Sequence, residues 1–441
     1  MNPLKDEDRD RSSSTEGDPD PTVSRRTLLL TAGAAGGAAL VGAELGAGPH
    51  LAAAQGATPT AAVPPADAVP PAIPPWTREW GPLPSEYGAR SPFEDDVVRD
   101  PSATSSRSPL ADLRGIITPN SLFYERHHAG VPQIDPSEHR LIIHGMVDRP
   151  VEFTLDDIKR FPSVSVIHFL ECSGNTGSEW KESTIRETVQ KTHGLVSATE
   201  WTGVPMKTLL KEAGIQPGGT WLLCEGADAA ALTRSIPTEK AMEDGLLVYG
   251  QNGEALRPEQ GYPMRAIWPG FEGNSNVKWL RRIKVGNQPW ETREETSKYT
   301  DLLADGVARQ FTFFMEAKSV ITSPSGGQTI PAQGFWEISG IAWSGHGKIT
   351  MVEVSTDGGA TWEEADLQGP VLPICLTRFR YPWTWDGQAT KILSRATDET
   401  GYVQPTVDAL VQARGVNSTY HMNAIKTWAV AENGEVTNVY Q

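Results

Sequence analysis

Cysteine is scarce in this chain: Cys172, Cys224 and Cys375 are the only three in 441 residues. Three thiols cannot build a disulfide framework. No CxxC or CxxCH spacing occurs, so neither a thiolate zinc knuckle nor a covalently attached haem is encoded. HExxH is missing as well, and the nine histidines are scattered. Any metal bound here is held by few protein atoms. Long apolar runs are missing too: the Leu, Ala and Gly stretch from Leu28 to about Val41 is short, Gly-rich and followed by Glu44, a poor membrane span. Positive charge is in deficit, 39 Lys and Arg against 55 Asp and Glu, a net charge of −16. A surface this acidic has no general attraction for nucleic acid or anionic membrane. An anionic substrate would need a local field from a few Arg or Lys in a cleft.

What is present is an ordinary globular balance, 38% hydrophobic and 21% charged, in a length that suits about two domains. Fourteen tryptophans are many, and several adjoin Gly or Pro, as in Trp268-Pro269-Gly270. Such residues serve as core packing or as walls around a bulky planar ligand. Near the N-terminus, Ser24-Arg25-Arg26-Thr27-Leu28-Leu29 follows a polar stretch and opens the mildly apolar one, the pattern of a twin-arginine export signal. Ala52-Ala53-Ala54 offers small residues for cleavage, which makes 1–54 the signal. That route carries folded proteins, so a cofactor inserted before export and a periplasmic or other extracytoplasmic destination are expected.

The Ala/Pro run after it reads as an extended linker, and 55–110 as linker and wrapping segment, with regular structure from near Ile116. Strands are expected at 139–145, 164–170 and 220–224. Helices are expected at Leu155–Arg160, N-capped by Thr154, at Gly203–Ala213 and at 236–243. This mixture makes 111–305 an α+β domain. Beyond about Lys318, short alternating runs separated by turns such as Asp357-Gly358-Gly359 predict a β-sandwich over 312–432 with almost no helix.

Cys172 stands where the apolar run Ile167–Leu170 meets a loop of small polar residues. That placement projects the thiol from a fixed strand end among free backbone N–H groups, which favour a thiolate. A cysteine after a strand is more often simply packed, and Cys224 and Cys375 fit that reading. The neighbouring segments decide for Cys172. Cys172-Ser173-Gly174-Asn175, Tyr124-Glu125-Arg126-His127-His128, Tyr249-Gly250-Gln251-Asn252-Gly253, Gly261–Arg265 and Asn276–Ile283 resemble, in order and spacing, the motifs of the sulfite oxidase family of molybdenum enzymes. Stretches including Glu225–Asp228, Gly250–Leu256, Gln288–Leu302 and Arg414–Tyr420 are similar to one branch of it, the molybdenum subunits of bacterial sulfane dehydrogenases.

The resemblance implies a molybdopterin-binding catalytic domain followed by an immunoglobulin-like dimerisation domain, with Cys172 as the protein's ligand to molybdenum. It implies cofactor contacts at Tyr124, Arg126, His128, Asp228, Arg265, Asn276, Val277 and Lys278. Arg265 and Lys278 are the cations for the pterin phosphate, and Gln260 stands where relatives usually have a histidine. Tyr249, Arg126 and His128 are the expected catalytic set: Tyr249 to orient substrate and relay protons, Arg126 to meet an oxyanion, His128 to gate protons or water. The implied reaction is oxygen-atom transfer to a reduced sulfur compound. Electrons would leave to a c-type cytochrome, soluble or as a second subunit of a heterotetramer; a homodimer is the other assembly. One departure stands out: where relatives carry two arginines after the cysteine turn, this chain has Thr176 and Gly177. Losing that cation disfavours free sulfite and makes room for bulkier sulfane sulfur. The competing readings are a plain sulfite dehydrogenase and, from another class, a cofactor-free exported β-sandwich binding protein.

Overall fold

A computed structural model describes residues 73–180 and 187–439. The signal expected at 1–54 and most of the Ala/Pro run lie outside the described residues. Ordered packing begins upstream of Ile116. Ser105–Arg107 is the middle strand of a small sheet whose other members are Asp100–Pro101 and Glu125–Arg126. Ser106, Ser108 and Leu110 are already buried. The pairing of 105–107 with 125–126 has a local consequence: it pins the Tyr124–His128 segment to the body of the domain.

Two five-stranded sheets form the framework of the first domain. One runs, in spatial order, Val151–Phe153, Leu141–Gly145, Leu280–Gly286, Trp221–Gly226 and Thr233–Pro237, with the Leu141–Gly145 and Leu280–Gly286 pair parallel. The other runs Glu254–Ala255, Leu246–Gln251, Val196–Pro205 and Val164–Glu171, with Arg265–Ile267 also paired to Leu246–Gln251. Short helices cover them. Thr154 caps Leu155–Lys159 in a complete capping box with Asp157, which satisfies two amide donors at the helix start. The helix expected at Gly203–Ala213 starts at Met206, because Gly203 to Pro205 continue a strand. A Cβ on Gly203 would meet the Leu247 carbonyl oxygen at 2.1 Å, so this glycine serves close strand pairing.

The second domain is a sandwich of a four-stranded sheet (Lys318–Ser323, Gly334–Trp343, Thr377–Trp385, Asp366–Gln368) and a five-stranded sheet ending in Thr427–Val430 and Val436–Val439. Alternation along these strands turns Ile338 and Phe379 of one sheet toward Val352, Val354, Ile392 and Trp428 of the other, while Val320 and Ile341 lie on the opposite face, the face of Lys318 and Trp343 that meets the first domain. A helix, Val407–Arg414, interrupts the expected all-β pattern. It precedes an irregular segment, 415–423, that packs against the first domain.

The two domains share buried polar contacts as well as apolar ones. Glu171, the last residue of the Val164–Glu171 strand, is fully buried and has its carboxylate bound from three sides. Lys318 Nζ donates to it at 2.9 Å, Trp343 Nε1 at 2.7 Å and Asn175 Nδ2 at 2.9 Å. Lys318 and Trp343 belong to the sandwich. Removing one partner of a buried ion pair typically costs about 3–5 kcal/mol, because the other charge is stranded. Lys318→Met is expected to lower unfolding free energy by about that amount in chemical denaturation. Adding Glu171→Leu should restore most of the loss, and a double variant no more stable than Lys318→Met would contradict the pairing.

Candidate active site

The Cys172 turn is built by its backbone. The strand ends with the Cys172 amide donating to Leu195 at 3.0 Å. The Asn175 amide then returns to the Cys172 carbonyl at 2.8 Å, and the Gly177 amide to Gly174 at 3.1 Å. Asn175 ties the turn down, accepting from the Leu195 amide through Oδ1 while donating to Glu171. The thiol looks into a cavity lined by Leu170 and Arg265 of one framework sheet and by loop residues Asp228, Leu232, Lys278 and Trp279 that adjoin strands of the other. Burial pushes its pKa up, while the Gly174 amide and the Arg126 guanidinium pull it down. Gly273 closes one side: a Cβ there would lie 2.8 Å from the Tyr124 hydroxyl and 3.3 Å from Cys172 Cα. Only glycine permits that approach.

The same cavity carries buried cations. Lys278 donates to the carbonyls of Arg126 (3.2 Å) and Glu259 (2.9 Å) and to His127 Nδ1 (2.8 Å). That last bond leaves the His127 proton on Nε2, where it donates to Glu125 at 2.7 Å. Burial, then the Arg265 charge, hold Lys278 well below the ordinary lysine value. Arg265 is held by the Gln260 and Asn276 carbonyls at 3.0 and 2.9 Å and lies over the Trp201 ring. Its Nε has no partner, nor have the buried Asn274 Oδ1 and Ser275 Oγ. Burial lowers its pKa to about 10.

A hydrogen-bonded pair completes the wall. The Tyr299 hydroxyl lies 2.8 Å from His128 Nε2. Tyr299 follows the short helix Arg293–Thr296, sits at φ 54°, and has the Arg234 guanidinium 5.3 Å over its ring. Arg234 is wholly buried and pairs with Glu272 at 3.1 Å and Glu295 at 3.6 Å. Burial holds the Tyr299 hydroxyl protonated far above the ordinary phenol range. Burial and the Arg126 charge hold His128 down to about 4, so it is neutral at physiological pH.

A family model described as the oxidoreductase molybdopterin binding domain matches residues 128–294, and the Mo-co oxidoreductase dimerisation domain matches 309–428. The crystal structure of the sulfane dehydrogenase SoxCD from Paracoccus pantotrophus superposes with a TM-score of 0.81 at 47% identity, over 83% of this chain and 97% of that one. Mitochondrial sulfite oxidase of Mus musculus is 32% identical over 368 residues, 75% of this chain. The NADH nitrate reductase of Solanum lycopersicum is 34% identical over 347 residues, 68% of this chain. The chain spans 66% and 38% of the lengths of these two enzymes. It belongs to the sulfite oxidase family of molybdopterin oxidoreductases.

Within that family frame, the cavity gathers Tyr124, Arg126, His128, Cys172, Asp228, Gln260, Arg265, Asn276 and Lys278. Two expected residues are not among those lining it. Val277 is fully buried in the apolar core beside Met264 and Phe271. Tyr249 sits where the pairing of Leu246–Gln251 with Val196–Pro205 shifts register, and it packs against that same core. The cavity's phenol beside His128 is Tyr299, inside the Gln288–Leu302 stretch that carries the family likeness. Asn276 serves mainly the fold: Oδ1 accepts from the Trp268 amide, and Nδ2 donates to the Phe271 and Glu272 carbonyls. Glu125 and His127, which orient Lys278, carried no sequence signal beyond lying inside the Tyr124–His128 motif.

The donor set fits a molybdopterin. A single thiolate ligand suits a metal whose other ligands arrive with the pterin, and among the described residues no three His, Cys, Asp or Glu side chains cluster as a metal site. Two buried cations, one with an unpartnered N–H, fit a phosphate. Lys278→Met is therefore expected to cut molybdopterin content of the purified protein at least tenfold while leaving the fold intact, read by metal analysis and circular dichroism. The pH dependence has a definite sign. His128 is protonated below about 6.5 when unfolded but only below about 4 when folded, so the stability gained by keeping it neutral is present above 6.5. It is lost as pH falls from 6.5 to 4. In thermal unfolding of the cofactor-free protein, His128→Gln should flatten that limb; an unchanged slope would refute the assignment.

Proposed function

We propose that this chain oxidises reduced sulfur by oxygen-atom transfer, that its preferred substrate is sulfane sulfur carried on a larger molecule, and that it passes electrons to a c-type cytochrome. The observation that carries the reading is the meeting of Cys172, Arg126 and the His128–Tyr299 pair in one cavity backed by Lys278 and Arg265. The likeness to a sulfane dehydrogenase over nearly all of that chain supports the substrate class. A twin-arginine signal and export fit the same reading, as does association of two chains through the sandwich. A plain sulfite dehydrogenase is the second reading, favoured by the Arg126 cation that remains beside the thiol.

When bound, the molybdenum cofactor supplies the two-electron oxygen-transfer chemistry. The chain's own residues hold and order what surrounds it. Cys172 presents a thiol on a turn fixed at both ends, and Arg126 offers the positive field that meets an anionic sulfur. Tyr299 keeps its proton and can offer a hydrogen bond to substrate, while its 2.8 Å hydrogen bond to His128 Nε2 fixes the position of the hydroxyl. Both residues are partly buried, which limits the access of water to that pair. Tyr299→Phe is expected to lower kcat on the order of 100-fold with little change in KM. Tyr249→Phe should leave both within twofold. In steady-state assays with cytochrome c as acceptor, kcat/KM for a persulfide should exceed that for sulfite. Fast sulfite turnover at low KM with no persulfide activity would overturn the substrate assignment.

A further inference from the structure

The segment 418–421 of the sandwich domain lies against the Cys172 turn, and four contacts hold it there. The His421 amide donates to the Ser173 carbonyl at 2.8 Å. Trp180 Nε1 and Ser418 Oγ donate to the Tyr420 carbonyl at 3.3 and 3.2 Å, and Ser418 Oγ is itself 3.0 Å from Asp301. The Tyr420 ring is 5.2 Å from that of Tyr299. Two glycines of the turn report what this segment does to the space. At Gly177 a Cβ would meet the Thr419 carbonyl oxygen at 2.8 Å, so no side chain fits there. At Gly174 a Cβ would make ordinary contacts, 3.9 Å to Cys172 Sγ and 4.0 Å to Tyr420 Cδ1. The space between the thiol and the Tyr420 ring thus accepts a group the size of a methylene.

Charge points the same way. Lys318, close to the turn, is consumed by Glu171 and by the Thr176 hydroxyl at 2.6 Å. Arg234 is bound by Glu272 and Glu295. Lys278 spends its donors on two carbonyls and His127. What faces the turn from the sandwich is a carbonyl oxygen and a phenol ring, neither of which attracts a dianion. Among the described residues, Arg126 is the cation that acts on the Cys172 thiol, and it neutralises one negative charge, while sulfite brings two.

Resting on the sulfur-oxidation reading above, we propose that segment 418–421 determines substrate specificity: the Thr419 carbonyl keeps position 177 free of any side chain, and Tyr420 with Tyr299 walls a neutral slot over Gly174. The slot takes a singly charged persulfide, R–S–S⁻, whose unbranched carrier chain lies along the Tyr420 ring. Tyr420 acts here by shape and by lack of charge, so its ring matters and its hydroxyl does not.

The test uses the cofactor-loaded protein, with glutathione persulfide, a persulfidated cysteine peptide and sulfite as substrates. Tyr420→Phe should keep the ratio of persulfide to sulfite kcat/KM within twofold. Tyr420→Ala should lower that ratio at least tenfold, mainly through KM for the peptide. Tyr420→Arg should lower the sulfite KM at least tenfold and, in calorimetry of the resting protein, create measurable affinity for sulfate, an inert dianion. Molybdenum content and circular dichroism, unchanged in all three, show that the site is intact. A ratio unchanged in Tyr420→Ala, or no gain of sulfate binding in Tyr420→Arg, overturns the specificity role while leaving the sulfur reading in place. Wild-type protein that oxidises sulfite and no persulfide overturns the functional reading itself, and this proposal with it.

Discussion

A buried carboxylate sits one residue before Cys172, and much of the site's geometry depends on its being neutralised. Glu171 receives Lys318 and Trp343 from the sandwich and Asn175 from the turn it precedes. An unpaired carboxylate with no exposed surface would cost far more than the strand could return. The catalytic domain therefore cannot place its thiol correctly without the second domain's lysine beneath it. That dependence makes the sandwich part of the active site as well as a candidate dimerisation surface. It also explains why Thr176 stands at φ 66°, a backbone strain that Lys318 helps hold by donating to the Thr176 hydroxyl oxygen.

The same arrangement recurs farther along the cavity. Arg234, fully buried, is shared by Glu272 and Glu295, and Glu272 also accepts from His421 of the sandwich at 3.2 Å. Burial alone would push the Glu272 carboxyl up, but Arg234 and His421 outweigh it and keep the group below the ordinary glutamate value. The guanidinium then presents its face to Tyr299. So the phenol beside His128, like the thiol, is set by an ion network that crosses from one domain to the other. The surface is acidic overall, yet the cations that matter are few and internal, as a net charge of −16 requires of any site that meets anions.

Local signals explain which parts were legible beforehand. The Thr154 capping box, the strand before Cys172 and the alternation of the sandwich strands are short-range patterns, and each forms where the residues predict it. Cys172, Arg126, Arg265 and Lys278 were legible only through motif likeness, since each alone reads as packing or surface charge. Tyr249 also entered only through motif likeness; in the fold it packs against the apolar core at a one-residue register shift, a non-local detail that no residue pattern encodes. Tyr299 was hidden for the opposite reason. Its position depends on a left-handed backbone after a four-residue helix and on Arg234, 65 positions away in sequence, and no local pattern encodes either.

The glycine at 177 shows how a substitution read as a loss can be a constraint. From sequence, the missing arginine pair leaves an emptier and less charged pocket. In the fold, the place beside the turn is already taken, because the Thr419 carbonyl approaches too closely for any Cβ. Restoring an arginine at 177 alone would force the 418–421 segment away, breaking the His421–Ser173 and Trp180–Tyr420 bonds that join the domains. Charge at this position and the position of the sandwich segment are therefore coupled choices. A site of this design changes its substrate by moving both together, since neither can move without the other.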